Sequence, residues 1–265
     1  MLRTRTVAAV VVALATAVGA AVVLDVFGGT SRAPAARDDR AAALPDPVAP
    51  AFTPTVKPVA SGEELSRWAP VVKAVKARRG PHHRAPVIAP LETTTPEGTT
   101  NIVLVLPDLR EVGSRVWVRV RLPVLPNNTT GWVPRDALGG YSEVRTRLVV
   151  DRADLTATLF LGGREVFSAP VGIGEARWPT PRGEFYVRNR LTHFNDPAYG
   201  PIAFGTSARS SVLTDWPAGG FIGIHGTNQP DLLPGRVSHG CIRMRNDDIV
   251  RLDRLMPVGT PLTIR

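Results

Sequence analysis

Apolar and polar positions alternate over much of this chain. In residues 116–122, Val-Trp-Val-Arg-Val-Arg-Leu, the residues Val116, Val118, Val120 and Leu122 share one face, and Trp117, Arg119 and Arg121 share the other. That period of two predicts a half-buried strand. Residues 101–106 and 87–91 read as further strands, 127–131 as a turn, and 131–134 as the start of another short strand. Farther along, strands at 148–150 and 155–160 are joined by a turn at 151–154. A Leu-Gly-Gly-Arg turn at 161–164 leads into a strand at 165–171. Residues 221–224 form a short apolar strand that runs into His225. Only near the end does the period change. Ile249, Leu252, Leu255 and Met256 follow helical spacing, with Asn246 predicted as N-cap and Asp247 and Asp248 in the first turn, where the helix dipole favours acid. Pro257-Val-Gly259 ends that helix, and residues 260–264 close as a strand. The expected fold is mainly β: a β-rich domain with one clear helix at 145–265, preceded by a small β-barrel-like module at 63–144.

The first 62 residues do not fit this pattern. Arg3 and Arg5 precede an uncharged, Ala- and Val-dominated span at residues 7–24. A basic flank followed by an apolar span reads as an export signal or a membrane anchor over residues 1–27. Val18-Gly19-Ala20 suits cleavage between small residues, so cleaved and retained forms both fit. Either form places the rest of the chain outside the cytoplasm, in the cell envelope, because the positive flank stays inside. Residues 28–62, punctuated by Pro34, Pro45, Pro47, Pro50, Pro54 and Pro58, hold too few large apolar side chains for a core and read as an Ala/Pro-rich linker.

The net charge of the 265 residues is +9. It is spread at about +2, +3 and +4 over residues 1–62, 63–144 and 145–265. No basic stripe is present, which argues against nucleic acid as a partner and for a solvated basic surface. Such a surface also permits attraction to anionic wall polymers. The single cysteine, Cys241, excludes an internal disulfide. In an exported chain a lone thiol is a candidate reactive group, set against the commoner fate of a buried, inert cysteine.

The neighbours of Cys241 bear on that choice. A thiol with a pKa of about 8.5 is mostly protonated at neutral pH, and an imidazole can take its proton to give a thiolate–imidazolium pair. His239 lies two residues before Cys241 and shares its face if the segment is extended. His225 meets Cys241 only if the intervening loop, with Pro230, Pro234 and Gly235, folds back. Gly240 lets the backbone approach a substrate, and the amides of Gly240 and Cys241 are candidate oxyanion donors. The residues alone leave this open between a nucleophilic site and two structural histidines beside a buried thiol.

Ser238-His239-Gly240-Cys241-Ile242-Arg243, with His225-Gly226 upstream, resembles the signature of the L,D-transpeptidase (YkuD-type) catalytic domain. Thr180-Pro181-Arg182-Gly183-Glu184-Phe185, the opening Leu-Val-Val-Asp at 148–151 and Pro-Val-Gly-Ile-Gly at 170–174 are similar to that family in the same order. The resemblance implies that Cys241 attacks a peptidoglycan stem tetrapeptide and His225 is its base, with no cofactor and no metal. The Gly226 carbonyl would orient the imidazole, and His239, Gly240 and Cys241 would line the oxyanion region. The terminal D-amino acid would leave, and an amine of a neighbouring stem would resolve the thioester. Substrate contacts are expected from Arg243, Ser238, Tyr199 and Trp216, the last two in a lid over residues 191–220. Carbapenem-type inhibitors are expected to acylate the thiol. The module at 63–144, with its Gly131-Trp132-Val133 step, resembles bacterial Src-homology-3-like domains. Three alternatives remain: an L,D-carboxypeptidase with water as acceptor, a non-catalytic wall-binding protein, and a metallopeptidase using His193, His225 and His239. The last lacks a His-Glu-x-x-His spacing.

Overall fold

A computed structural model describes residues 65–192, 196–215 and 219–265. The anchor and linker expected over residues 1–62 lie outside these, as do His193 and Trp216. The described residues fall in one compact unit and are mainly β, with one α-helix among them.

Seven strands build the first sheet: β1 Ser66–Pro70, β2 Val75–Arg78, β3 Val87–Leu91, β4 Ile102–Val112, β5 Arg115–Arg121, β6 Thr130–Pro134 and β7 Ser142–Val144. Their order is β3-β2-β6-β5-β4-β1-β7, antiparallel throughout. The predicted alternation in β5 sets the register. Val118 faces Val133 of β6 and Val120 faces Val105 of β4, so Val118, Val120 and the following Leu122 enter one apolar cluster. Burial of such aliphatic side chains contributes about 1.5–3 kcal/mol each.

The second sheet contains β8 Thr146–Asp151, β9 Thr156–Leu161, β10 Arg164–Pro170, β11 Gly172–Gly174, β12 Gly183–Thr192, β13 Ile202–Arg209, β14 Phe221–His225, β15 Gly235–Ser238, β16 Ile242–Arg243 and β17 Pro261–Ile264. Their order is β10-β9-β8-β17-β12-β13-β14-β16-β11-β15. Strand β12 serves two neighbours: Gly183–Tyr186 pairs with β17, and the stretch beyond Val187 pairs with β13 after a bulge at Val187/Asn189. A bulge bends its strand and raises the local twist, and here it curls the sheet. Residues 191–220 were expected to be a lid; within them residues 202–209 are the strand β13 in the middle of the sheet.

Helix α1, Asn246–Asp253, buries Ile249 and Leu252 against the core of this sheet. Met256 follows them in, whereas Leu255 is 43% exposed, contrary to the helical reading of all four. Asp247 and Asp248 occupy the first turn as expected, but the N-cap is Arg245. Asn246 does not cap the helix, because its side chain turns back to accept a hydrogen bond from Thr227 N at 2.9 Å.

The two sheets meet at Tyr186. Its ring is fully buried with Ile102, Leu104, Trp68 and Val258, and its hydroxyl donates to Ile102 O at 3.0 Å. Gly259, at φ +88°, lies directly under Trp68, where a Cβ would fall 1.9 Å from Cδ1.

Candidate active site

Strands β14 and β16 are parallel neighbours, with Ile224 opposite Ile242 and His225 opposite Arg243. This register sets Gly223 beside Cys241. Side chains alternate along strands, so Gly223, His225, Cys241 and Arg243 share a face. The intervening chain returns through a 3₁₀ turn at Pro230–Leu232 and strand β15, which pairs with β11. The fold-back needed to join His225 to Cys241 is thus made by strand pairing as well as by the prolines. Gly223 leaves the space between them open. From the point where its Cβ would stand, Cys241 Sγ and His225 Cδ2 are each 3.8 Å away. The Gly223 amide donates to Sγ at 3.4 Å.

His225 is 4% exposed. Its Nδ1 lies 2.6 Å from Gly226 O. A carbonyl only accepts, so Nδ1 carries the proton and Nε2 is left with its lone pair on the edge that bears Cδ2. The Gly226 carbonyl is in turn set by its surroundings: the Asn246 amide oxygen and Gly200 abut Gly226 so closely that no Cβ fits there. Burial pushes His225 down to about 4, against the opposing hydrogen bond to Gly226 and with help from Arg243. Burial pushes the half-buried Cys241 thiol up, countered in part by the Gly223 amide and Arg243. Both directions favour neutral partners. Burial thus opposes a thiolate–imidazolium pair in the folded protein, because it penalises both charges.

A cavity of about 260 Å³ opens onto the thiol, lined among others by Tyr199, Leu213, Phe221, His225, His239 and Arg243. The Tyr199 ring covers His225 at 4.8 Å between centroids. It is carried by a short 3₁₀ turn, Pro197–Tyr199, which Asp196 caps through Ala198 N at 2.9 Å. Arg243 adds positive charge beside the thiol. His239 is stacked on Trp178 at 3.9 Å, with Arg177 over the other ring at 3.6 Å.

Ser238 lines the same cavity, and together with Gly240 it also builds the turn before the thiol. Ser238, 1% exposed, donates to Cys241 O at 2.6 Å and accepts from Gly240 N at 3.1 Å. Its side chain ties the turn before Cys241 together, and the Gly240 amide is engaged there and not free for an oxyanion. Gly240 adopts φ +120°, a conformation open to glycine. Thr180 is fully buried. Its hydroxyl donates to Gly240 O at 2.7 Å and accepts from Gly174 N at 2.8 Å. Thr180 and Asn246 support the turn and the loop flanking the pair, yet in sequence one is a polar residue before a proline and the other looks like a helix cap.

A thiol and a tautomer-fixed imidazole facing one cavity make up the equipment of thiol-dependent acyl transfer. Residues 145–264 match the YkuD family model, the L,D-transpeptidase catalytic domain. YkuD of Bacillus subtilis, named as an L,D-transpeptidase, is 38% identical over 109 residues, 41% of this chain and 59% of that protein. Its Bacillus licheniformis counterpart is 35% identical over 118 residues, 44% of this chain and 64% of that protein. The chain thus spans about three-fifths of the length of these relatives. The structure of L,D-transpeptidase 3 from Mycobacterium tuberculosis in complex with a faropenem-derived adduct is 17% identical, covering 61% of this chain and 96% of that one, at a TM-score of 0.38. Residues 145–264 are thus similar to L,D-transpeptidase catalytic domains.

Proposed function

We propose that residues 145–265 form a cysteine acyltransferase that cross-links peptidoglycan stem peptides. The observation that carries this reading is that Cys241 Sγ and His225 Cδ2, on the edge that bears Nε2, each lie 3.8 Å from the point where a Gly223 Cβ would stand, with Nδ1 held by Gly226 O. As Sγ attacks the carbonyl before the terminal D-amino acid of a stem tetrapeptide, His225 Nε2 takes the thiol proton. The Cys241 amide supports the oxyanion. The C–N bond then breaks, His225 returns the proton to the leaving amine, and a thioester remains. An amine of a neighbouring stem attacks it, forming the new amide and restoring the thiol. Arg243 provides the positive charge that holds a stem carboxylate, and Tyr199 closes over the base.

Purified protein given a tetrapeptide stem with and without an amine acceptor tests this. Cross-linked dimer with release of the terminal D-amino acid is expected, and Cys241→Ser should abolish it while leaving the melting temperature within a few degrees. Hydrolysed tripeptide as sole product would make the protein an L,D-carboxypeptidase. No turnover of any stem would leave a wall-binding protein. A carbapenem offers the same carbonyl under ring strain, so intact-mass analysis should find one drug mass, on Cys241. An adduct on a serine would overturn the thiol mechanism.

The basic flank and apolar span at residues 1–27 support a site of action outside the cytoplasm. Protease added to spheroplasts should degrade residues 65–265, and protection of that segment would refute export.

A further inference from the structure

Two contacts cross from the first sheet towards the rim of the thiol cavity, and they converge. Asn127, in the turn between β5 and β6, grips the backbone at the end of β13. Its Oδ1 accepts from Arg209 N at 3.0 Å, and its Nδ2 donates to Arg209 O at 2.7 Å. Arg209 then fastens the segment that follows. Its Nε donates to Gly219 O at 3.0 Å, and Ser210 N donates to Gly220 O at 2.8 Å. Ser210, Leu213 and Gly220 all line the cavity that holds Cys241.

The second contact starts at Glu97, between the bridged residues Thr94 and Thr100. Its carboxylate accepts from Arg188 Nη2 at 2.8 and 3.0 Å and from Asn189 Nδ2 at 3.2 Å. The Arg188 side chain is 2% exposed, and its guanidinium stands 3.8 Å from the ring centroid of Phe221. Arg209 faces the same ring at 5.0 Å. Phe221 walls the thiol cavity and opens β14, the strand that carries Gly223 and His225. It also lines a groove of about 530 Å³ at the junction of the sheets, so one ring separates the junction from the site.

We propose that Asn127 and Glu97 are positioning residues for the thiol site: through Arg209 and Phe221 the first sheet sets the rim of the cavity and so the fit of the acyl donor. The donor rests on the function proposed above; the effect on the cavity rests on the contacts alone. A two-point grip on a peptide unit fixes its place and its orientation together, and a cation over a ring face holds the ring where the cation is anchored. Neither Asn127 nor Glu97 lines the cavity, so both act at one remove. The first sheet is in this reading a part of the enzyme and not only a spacer.

The test compares Asn127→Ala and Glu97→Gln with Asn128→Gly. Asn128 is the neighbouring residue and crosses the same junction, accepting from Glu184 N at 2.7 Å, but none of its contacts leads to the cavity. Its φ of 67° suits glycine. Both test variants should raise KM for a stem donor by about fivefold or more while kcat changes less than about twofold. They should also raise alkylation of Cys241 by a bulky maleimide relative to iodoacetamide by about threefold, as a loosened rim admits the larger reagent. Asn128→Gly should move neither readout, and Asn127→Asp, which keeps the acceptor for Arg209 N, should recover part of the loss. Wild-type KM and alkylation ratio in folded Asn127→Ala would overturn the proposal. So would equal shifts in Asn128→Gly, because general loosening of the junction would then account for them. If Glu97→Gln fails to fold with Arg188 left unpaired, Asn127→Ala decides. If the wild-type protein turns over no stem donor, the functional reading falls while the alkylation ratio still decides the positioning role.

Discussion

Burial holds Cys241 and His225 towards their neutral forms, the forms their free pKa values already favour at neutral pH. Burial works against the thiolate and against the imidazolium, and Arg243 adds positive charge that disfavours the latter further. In the mechanism proposed above, His225 therefore starts as a neutral base that receives the proton during attack. Two pH effects follow. Alkylation of Cys241 by iodoacetamide should keep climbing with pH beyond the ordinary thiol range. A plateau at neutral pH would reveal a preformed ion pair instead. The His225 imidazole, depressed to about 4 from an ordinary value of about 6.5, binds fewer protons in the folded than in the unfolded chain between those values. Its contribution to stability is thus complete above about pH 6.5 and is lost as pH falls towards 4, by up to about 3 kcal/mol. The difference in melting temperature between the wild type and His225→Gln should shift against the wild type as pH falls from about 6.5 to about 4 and stay constant outside that window. Parallel curves would show that His225 titrates normally.

At the scale of elements, the site depends on two parallel strands and on the glycine between their side chains. Gly223 is not at a positive φ, and an added methyl there would meet Sγ, His225 Cδ2 and Phe204 O at ordinary contact distances of 3.6–3.8 Å. Gly223→Ala should therefore fold with little loss of stability yet insert a methyl between nucleophile and base. A fall in kcat/KM on the order of a hundredfold is expected, since small misplacements of reacting groups have costs of that size. Near-normal turnover would mean that the pair does not act across this gap. Gly174 offers the contrast. A Cβ there would stand 2.1 Å from Trp178 O, a backbone atom, and it would force apart the Gly174–Thr180–Gly240 brace.

For the whole molecule, the junction between the sheets combines apolar burial around Tyr186 with the polar contacts of Asn127, Asn128, Glu97 and Asn189. Gly259 is its tightest point. Gly259→Ala would place a methyl in Trp68 at a φ of +88°, where L-residues already pay about 1–2 kcal/mol. A loss of about 2 kcal/mol or more is expected, read as a lower denaturation midpoint, together with partial exposure of Trp68 fluorescence. An unchanged midpoint and spectrum would show that the junction adds nothing to stability.

The amino-acid sequence by itself determined the β-rich class, the single helix and the strands in which period-two alternation runs into a turn, as in residues 116–122. It also offered Cys241 with His225 and His239 as candidates, because a thiol flanked by glycine and histidine is chemically unusual however the chain folds. The tertiary structure decided what depends on pairs distant in sequence. It chose between His225 and His239 for the face shared with Cys241 by the register of β14 on β16, a matter of strand pairing that no local pattern encodes. It turned Asn246 from an apparent cap into the support of the Gly226 loop, since a side-chain oxygen binds whichever amide the fold brings to it. It gave Ser238 to its own turn and Thr180 to Gly240, and through burial it moved both members of the pair towards their neutral forms, an effect of the packed molecule and not of any stretch of chain.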